Sequence, residues 1–288
     1  MDAKQLKWAY LFVLSLIWGS SFILIKRGLV GLTAIQVGSF RIIFAAIFLL
    51  IVGFNSLKKI SRKQWKFIAL TSVFGTFIPA FFFAIAETQV DSSIVAILNS
   101  LTPLNTLVLG AIAFGIQFQK RQILGVFVGL VGCLLLVLSG ASAHPGQDYY
   151  YVILVVIATI CYAINVNLIK RYLSDLNSLS ITTGNFAVLL IPALLILSTT
   201  DISQKVSIDV TQHSIFFVMI LGVLGTGIAN VVFFKLIQMS SPVFATSVTY
   251  LIPIVAFFWG LLDNEMLTPI QFFGAFIILI GVYLSAKK

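Results

Sequence analysis

Residues 33–54 read TAIQVGSFRIIFAAIFLLIVGF, 22 residues with a single charge, Arg41. As a helix rising about 1.5 Å per residue, this run covers roughly 30 Å, the thickness of a bilayer's hydrocarbon core. Working outward, nine more nearly uncharged runs appear, at roughly 8–27, 66–86, 92–116, 121–140, 149–169, 178–198, 213–236, 242–262 and 269–286. The connectors are short, and the longest, around Thr199–Gln212, is polar and reads as a surface loop. The expected fold class is an all-α membrane protein with ten transmembrane helices.

Composition agrees. Of 288 residues, 60% are hydrophobic and 9% charged, and the mean hydropathy is +1.09. A soluble domain carries about 25% charged residues, and no fold of this size hides so much apolar surface from water. Soluble enzyme, secreted domain and disordered chain are excluded on this ground. The net charge of +9 reads as basic loops beside a membrane, so lipids are the expected macroscopic partner and nucleic acid is not. Cys133 and Cys161 each lie inside a long apolar run and read as packing residues, not disulfide or metal ligands. The first run follows Lys4 and Lys7 but lacks a small-residue cleavage site, so it reads as a retained helix.

Basic residues orient the spans. With both termini in the cytoplasm, Lys4, Lys7, Lys58, Lys59, Arg62, Lys63, Lys66, Lys120, Arg121, Lys170, Arg171, Lys235, Lys287 and Lys288 fall inside, and only Lys26, Arg27 and Lys205 fall outside. Short loops, basic pI and the absence of a targeting segment point to a bacterial inner membrane as the location.

The chain also repeats itself. At an offset of 144, Ile25-Lys26-Arg27 returns as Ile169-Lys170-Arg171, Trp18 pairs with Tyr162 and Arg41 with Asn185. At 150, Gly75-Thr76 returns as Gly225-Thr226, Phe83 as Phe233, Pro103 as Pro253 and Gly110 as Gly260. At 149, Gln122, Gly125 and Gly132 pair with Gln271, Gly274 and Gly281. The expected domains are 1–143 and 144–288, five spans each. An odd span count turns the second copy upside down, and inverted repeats are a known way to build a transporter with one midplane site and two gates.

Several stretches carry a family resemblance: Leu16-Ile17-Trp18-Gly19-Ser20-Ser21-Phe22 before Ile25-Lys26, Ser39-Phe40-Arg41, Ser92 to Ala96 leading to Ser100-Leu101-Thr102-Pro103, and Gly125 to Val137. Ser240 to Ala245, Tyr250-Leu251-Ile252-Pro253 and Glu265-Met266-Leu267-Thr268 occupy the matching places in the second half. In this order they resemble two EamA domains of the drug/metabolite transporter superfamily. The resemblance implies export or exchange of small metabolites, often amino acids. The sequence departs from the family pattern at Phe114-Gly115-Ile116-Gln117, where a glycine-glutamate pair is usual, and at Glu87.

Candidate site residues follow from the repeat. Pro103 and Pro253 lie midway along helices four and nine and are the expected helix hinges, since paired interruptions mark transporter sites. Around them Ser92, Ala96, Asn99, Thr106 and Gly110 share one helical face, matched by Pro242, Thr246, Thr249, Ala256 and Gly260. Small and polar stripes line a cavity or let helices pack closely. Trp18 and Tyr162 are mid-helix aromatics that stack on an organic substrate or fill a core. Asn165 shares the face of Tyr162, Asn230 follows Thr226 by one turn, and Thr76 is the counterpart of Thr226. An amide in hydrocarbon needs a helix, water or ligand to pair with. Tyr250 is a gate candidate. The expected substrate-binding set is thus Trp18, Thr76, Asn99, Thr106, Tyr162, Asn165, Asn230, Thr249 and Tyr250.

Arg41 is the clear intramembrane charge, and helix two is expected outside the central cavity. Its sequence-based reading is a bond to carbonyls at a neighbouring helix end, or snorkelling to the outer face, rather than capture of a substrate carboxylate. The glycines of helices five and ten read as a seam, within the chain or between two copies, so monomer and homodimer both remain open. No phosphate-binding loop, metal cluster or nucleophilic constellation occurs, with His144 and His213 near outer loops, so no enzyme, cofactor or metal is expected. The reading is a secondary transporter of small metabolites working by alternating access, with export favoured by the resemblance. A facilitative exchanger or importer of another small organic solute is the alternative, and a channel a more distant one.

Overall fold

The computed structural model describes residues 3–90, 92–141, 149–205, 208–262 and 269–286, and all regular structure in them is helical. The long helices fall on the ten apolar runs, and the connector expected as a surface loop around Thr199–Gln212 carries a short helix of its own, Ile202–Lys205, before the next long helix begins at Asp209. In chain order, α1 is Ala3–Gly19 continued as Ser21–Gly28, α2 is Ala34–Gly53, α3 is Arg62–Ala86, and α4 is Ser92–Asn99 followed by Thr102–Phe114. Then come α5 (Lys120–Ala141), α6 (Val152–Tyr172), α7 (Ser178–Ser198), α8 (Asp209–Met239), α9 (Pro242–Thr246 followed by Val248–Leu262) and α10 (Pro269–Ala286). The 143/144 boundary, His144, Glu265 and the acidic loop residues Asp91, Asp148 and Asp263 lie outside the described residues.

Six of these helices (α1, α2, α3, α6, α7 and α8) are each long and apolar enough to cross a membrane. Large apolar side chains such as Ile51, Ile112, Ile191 and Phe276 stand exposed around the outside, as lipid-facing surface requires and water-facing surface does not tolerate. The chain is a multi-pass membrane protein.

Local chemistry sets the helix ends. Thr33 caps α2 and Ser61 caps α3, each in a reciprocal box with the glutamine three residues on. Asn177 caps α7 and Ser241 caps α9. Gly115 ends α4 at φ +61°, a conformation that glycine adopts freely. At the far end of α8, the Lys170 ammonium donates to the carbonyls of Ile237 (3.2 Å), Gln238 (3.4 Å) and Ser240 (2.7 Å), a cation on the negative pole of the helix.

α4 breaks at Ser100–Leu101, so Pro103 opens its second half. In α9 the interruption falls at Ser247, where a tightened turn carries Tyr250 N–H to Ser247 O at 3.1 Å; Pro253 lies inside the continuous second half. Each proline has no N–H to give to the carbonyl four residues back. Thr102 Oγ1 donates to the carbonyl freed at Asn99 (2.7 Å), and Ser100 Oγ donates across to the one freed at Thr249 (3.2 Å). The two broken helices thus meet where their backbones are open.

α3 and α8 each widen into a π-helical stretch, Val73–Phe77 and Leu221–Ile228, over the repeated Gly-Thr pair. Glycine serves close approach there. A methyl on Gly75 would stand 2.5 Å from Asn165 Cγ, and one on Gly225 would stand 2.8 Å from Ser21 Oγ. Ser21 and Asn165 are themselves 144 apart, so the first helix of each half seats on the π stretch of the other.

The same exchange holds more widely: α1 packs on α8 and α9, and α6 on α3 and α4. α2 lies against α7, and α5 against α10. In the latter seam a methyl on Gly125 would meet Ser285 N at 2.6 Å and one on Gly132 would meet Ile278 N at 2.7 Å, so the glycine stripes close within one chain. The main core joins Leu14, Val166, Phe234, Phe244, Tyr250 and Ile278 from five helices.

Candidate substrate cavity

At the centre, where α1, α3, α4, α6, α8 and α9 converge, lies a cavity of roughly 810 Å3, counting free space out to its mouth. Trp18 and Tyr162, the equivalent aromatics of the two halves, both line it. The Trp18 indole donates to Gly225 O at 2.9 Å, inside the π stretch, and meets Phe233 edge-on with centroids 4.9 Å apart. Tyr162 lies over Phe83 at 5.9 Å. Both aromatics therefore pack against a phenylalanine while presenting surface to the cavity.

The polar lining comes from equivalent positions too. Thr76 and Thr226 both contribute, as do Ser21 and Asn165, with Asn99, Asn230 and Thr249 between them. Asn99 is held by Thr102 Oγ1, which donates to its Oδ1 at 3.3 Å, and Thr249 Oγ1 donates to Thr246 O at 3.0 Å. Thr76 Oγ1 and Asn165 Oδ1 are buried with no partner among the described residues. A buried polar atom left unpaired costs roughly 1–3 kcal/mol, and both atoms are sealed from the cavity space although their residues line it.

Two sequence-based candidates sit elsewhere. Thr106 is fully buried and donates to Thr102 O at 2.8 Å, while its own carbonyl accepts from Asn167 Nδ2 at 3.0 Å, so it ties α4 to α6. Tyr250, also fully buried, fits against Gly129 and donates to Val126 O at 2.9 Å, so it anchors α9 to α5 outside the lining. Pro103 and Pro253 are also outside it.

Arg41 is a correction in the other direction. α2 brings it to the cavity wall, where its Nε donates to Thr226 Oγ1 at 2.7 Å, and Thr226 in turn donates to Leu221 O at 3.1 Å. Neither a helix-end carbonyl nor the outer interface takes the guanidinium. Among the described residues Arg41 is the one charged side chain in the lining. Its repeat mate Asn185 also reaches α3, but at the Thr71 hydroxyl, 2.9 Å away, and not at Thr76, the mate of Thr226. Glu87, one residue past the end of α3, accepts from Ser92 Oγ at 2.8 Å. Burial pushes its carboxyl up to about 8, against smaller pulls from Ser92, Arg41 and Lys26.

The EamA-like transporter family matches this chain twice, over residues 6–138 and 149–287. The chain belongs to that family, and it is a transporter-family protein, not an enzyme. It is 27% identical to the uncharacterized inner membrane transporter YedA of Escherichia coli strain K12, covering 96% of this chain and 92% of that one. It is 26% identical to the "Probable amino-acid metabolite efflux pump" of the same strain, covering 93% and 91%. A solved crystal structure with 13% identity covers 96% of this chain and 94% of its own at a TM-score of 0.75, which shows a shared fold.

Proposed function

We propose that this chain is a secondary transporter that exports small metabolites, amino acids or their derivatives among them, from the cytoplasm by alternating access. The observation that carries the reading is the cavity itself. It is enclosed by equivalent residues of two halves, and its lining sets aromatic faces beside amides, hydroxyls and the Arg41 guanidinium. The efflux-pump relative supports the substrate class. In this reading the chain crosses an inner membrane ten times with both termini cytoplasmic. Residues 1–143 and 144–288 form inverted halves that rock around a substrate held by Trp18, Thr76, Asn99, Tyr162, Asn165, Asn230 and Thr249. Aromatic faces hold the apolar part of the substrate and amides its polar part. No acidic residue lines the cavity among the described residues, which favours exchange of one solute for another as the second reading, without a deep proton relay.

Counterflow in proteoliposomes tests it. Vesicles preloaded with unlabelled amino acids, one at a time, are offered the labelled compound outside. Saturable exchange that falls at least about tenfold in Trp18→Ala and Asn99→Ala is expected. Exchange insensitive to both changes moves the site out of the cavity, and ohmic current without counterflow replaces the carrier with a channel.

A further inference from the structure

We infer that Arg41 forms an anion subsite in the cavity wall that takes the carboxylate of the transported solute. The inference rests on the cavity being the substrate site, and adds to it the chemistry of one end of the substrate. A guanidinium in a membrane interior is costly and is retained only for a partner. Among the described residues its hydrogen bonding is limited to Nε and Thr226 Oγ1. That leaves both terminal amino groups, the planar fork that matches a carboxylate's two oxygens, without a protein acceptor. Those groups belong to a side chain that lines the cavity and is only partly buried, and they are not among the sealed, unpartnered atoms. Glu87 is near enough to be felt electrostatically but makes no ion pair with Arg41. The cation therefore faces the cavity uncompensated, and an anionic solute group is its natural counterion.

The mounting of the guanidinium matters as much as its charge. Nε is fixed to Thr226, whose hydroxyl closes onto Leu221 O across the π stretch of α8, and the Trp18 indole holds the Gly225 carbonyl, four residues further along the same stretch. A carboxylate on the fork thus pulls on the same backbone segment that Trp18 grips from α1. Occupancy is linked to the packing of α1 and α2 on α8.

The test is competition in counterflow with the full chain in proteoliposomes, each amino acid of a neutral panel run beside its own amide. The pair shares side chain and ammonium and differs in the carboxylate. Wild-type protein is expected to prefer the acid at least about tenfold, the worth of a hydrogen-bonded charge. Arg41→Gln should lose the preference and Arg41→Lys should keep part of it, in protein whose melting temperature and gel-filtration profile match wild type. Equal competition by acid and amide in the wild type overturns the inference and needs no variant. So does an Arg41→Gln protein that retains the preference. If only amides or other cations exchange, and do so in a Trp18- and Asn99-dependent way, the anion subsite falls while the cavity stands. If acids exchange regardless of Trp18 and Asn99, the cavity reading itself falls.

Discussion

Adjacent residues on α9 show how finely side-chain roles are divided. Thr249 lines the cavity while Tyr250, one step on, is sealed against α5 with its hydroxyl on Val126 O. One residue is about 100° of helix rotation, enough to separate ligand contact from scaffold. Tyr250→Phe should lower stability by roughly 0.5–1.5 kcal/mol, the net worth of the lost bond, since the Val126 carbonyl lies inside α5 and keeps its helical partner. Half-saturating substrate concentration in counterflow should be unchanged, and thermal melts in detergent would read the stability loss. Glu87 gives a pH signature. Its carboxyl titrates near 4.5 in an unfolded chain and near 8 in the fold. Between those values the unfolded chain releases a proton that the folded chain keeps, so stability declines as pH rises across that window. Glu87→Gln should flatten this decline; melting temperatures that track wild type at every pH would refute it. The sequence made Trp18, Tyr162 and the amides legible because polar or aromatic residues in mid-span need a reason. It misplaced Arg41 because periodicity fixes which residues share a face but not which face α2 turns inward. The packing of α2 on α7 and on the π stretch of α8 decides that.

At the scale of helices, two devices shape the cavity. One is the pair of π stretches in α3 and α8, which were not legible, because nothing in Gly-Thr spacing distinguishes an i→i+5 turn from an α turn. The other is the break in α4, which the proline did announce. Beyond it Thr106, on the stripe of Asn99 by spacing, is outside the lining, its hydroxyl on Thr102 O and its carbonyl taken by Asn167 of α6. Gly75→Ala places a methyl against Asn165 and should raise half-saturation several-fold while costing about 1–3 kcal/mol in stability. Equal counterflow kinetics in the variant would show that the Gly75–Asn165 contact is immaterial to transport. The α5–α10 seam tolerates less, since the nearest neighbours there are backbone atoms. Gly125→Val should abolish recovery of monodisperse protein in gel filtration, whereas Leu124→Val on the exposed face should not.

For the whole molecule, orientation is open to direct measurement. On a chain freed of Cys133 and Cys161, Lys205→Cys should react with an impermeant maleimide in intact cells and Lys59→Cys only after permeabilisation; the reverse pattern would invert the topology. Ten apolar runs and their repeat were plain from sequence, because lipid allows few ways to satisfy a backbone. The partnership of each first helix with the opposite half was not, since no local pattern encodes it. That partnership bears on how the protein is made. Helices leave the ribosome in chain order, so α1 enters the bilayer with Trp18 and Ser21 exposed long before the Gly225 surface that receives them has been synthesised. Until α8 and α9 arrive, α1 has only lipid and early neighbours for company. The central cavity therefore closes as one of the last acts of synthesis, and a chain stalled before α8 carries an unfinished site.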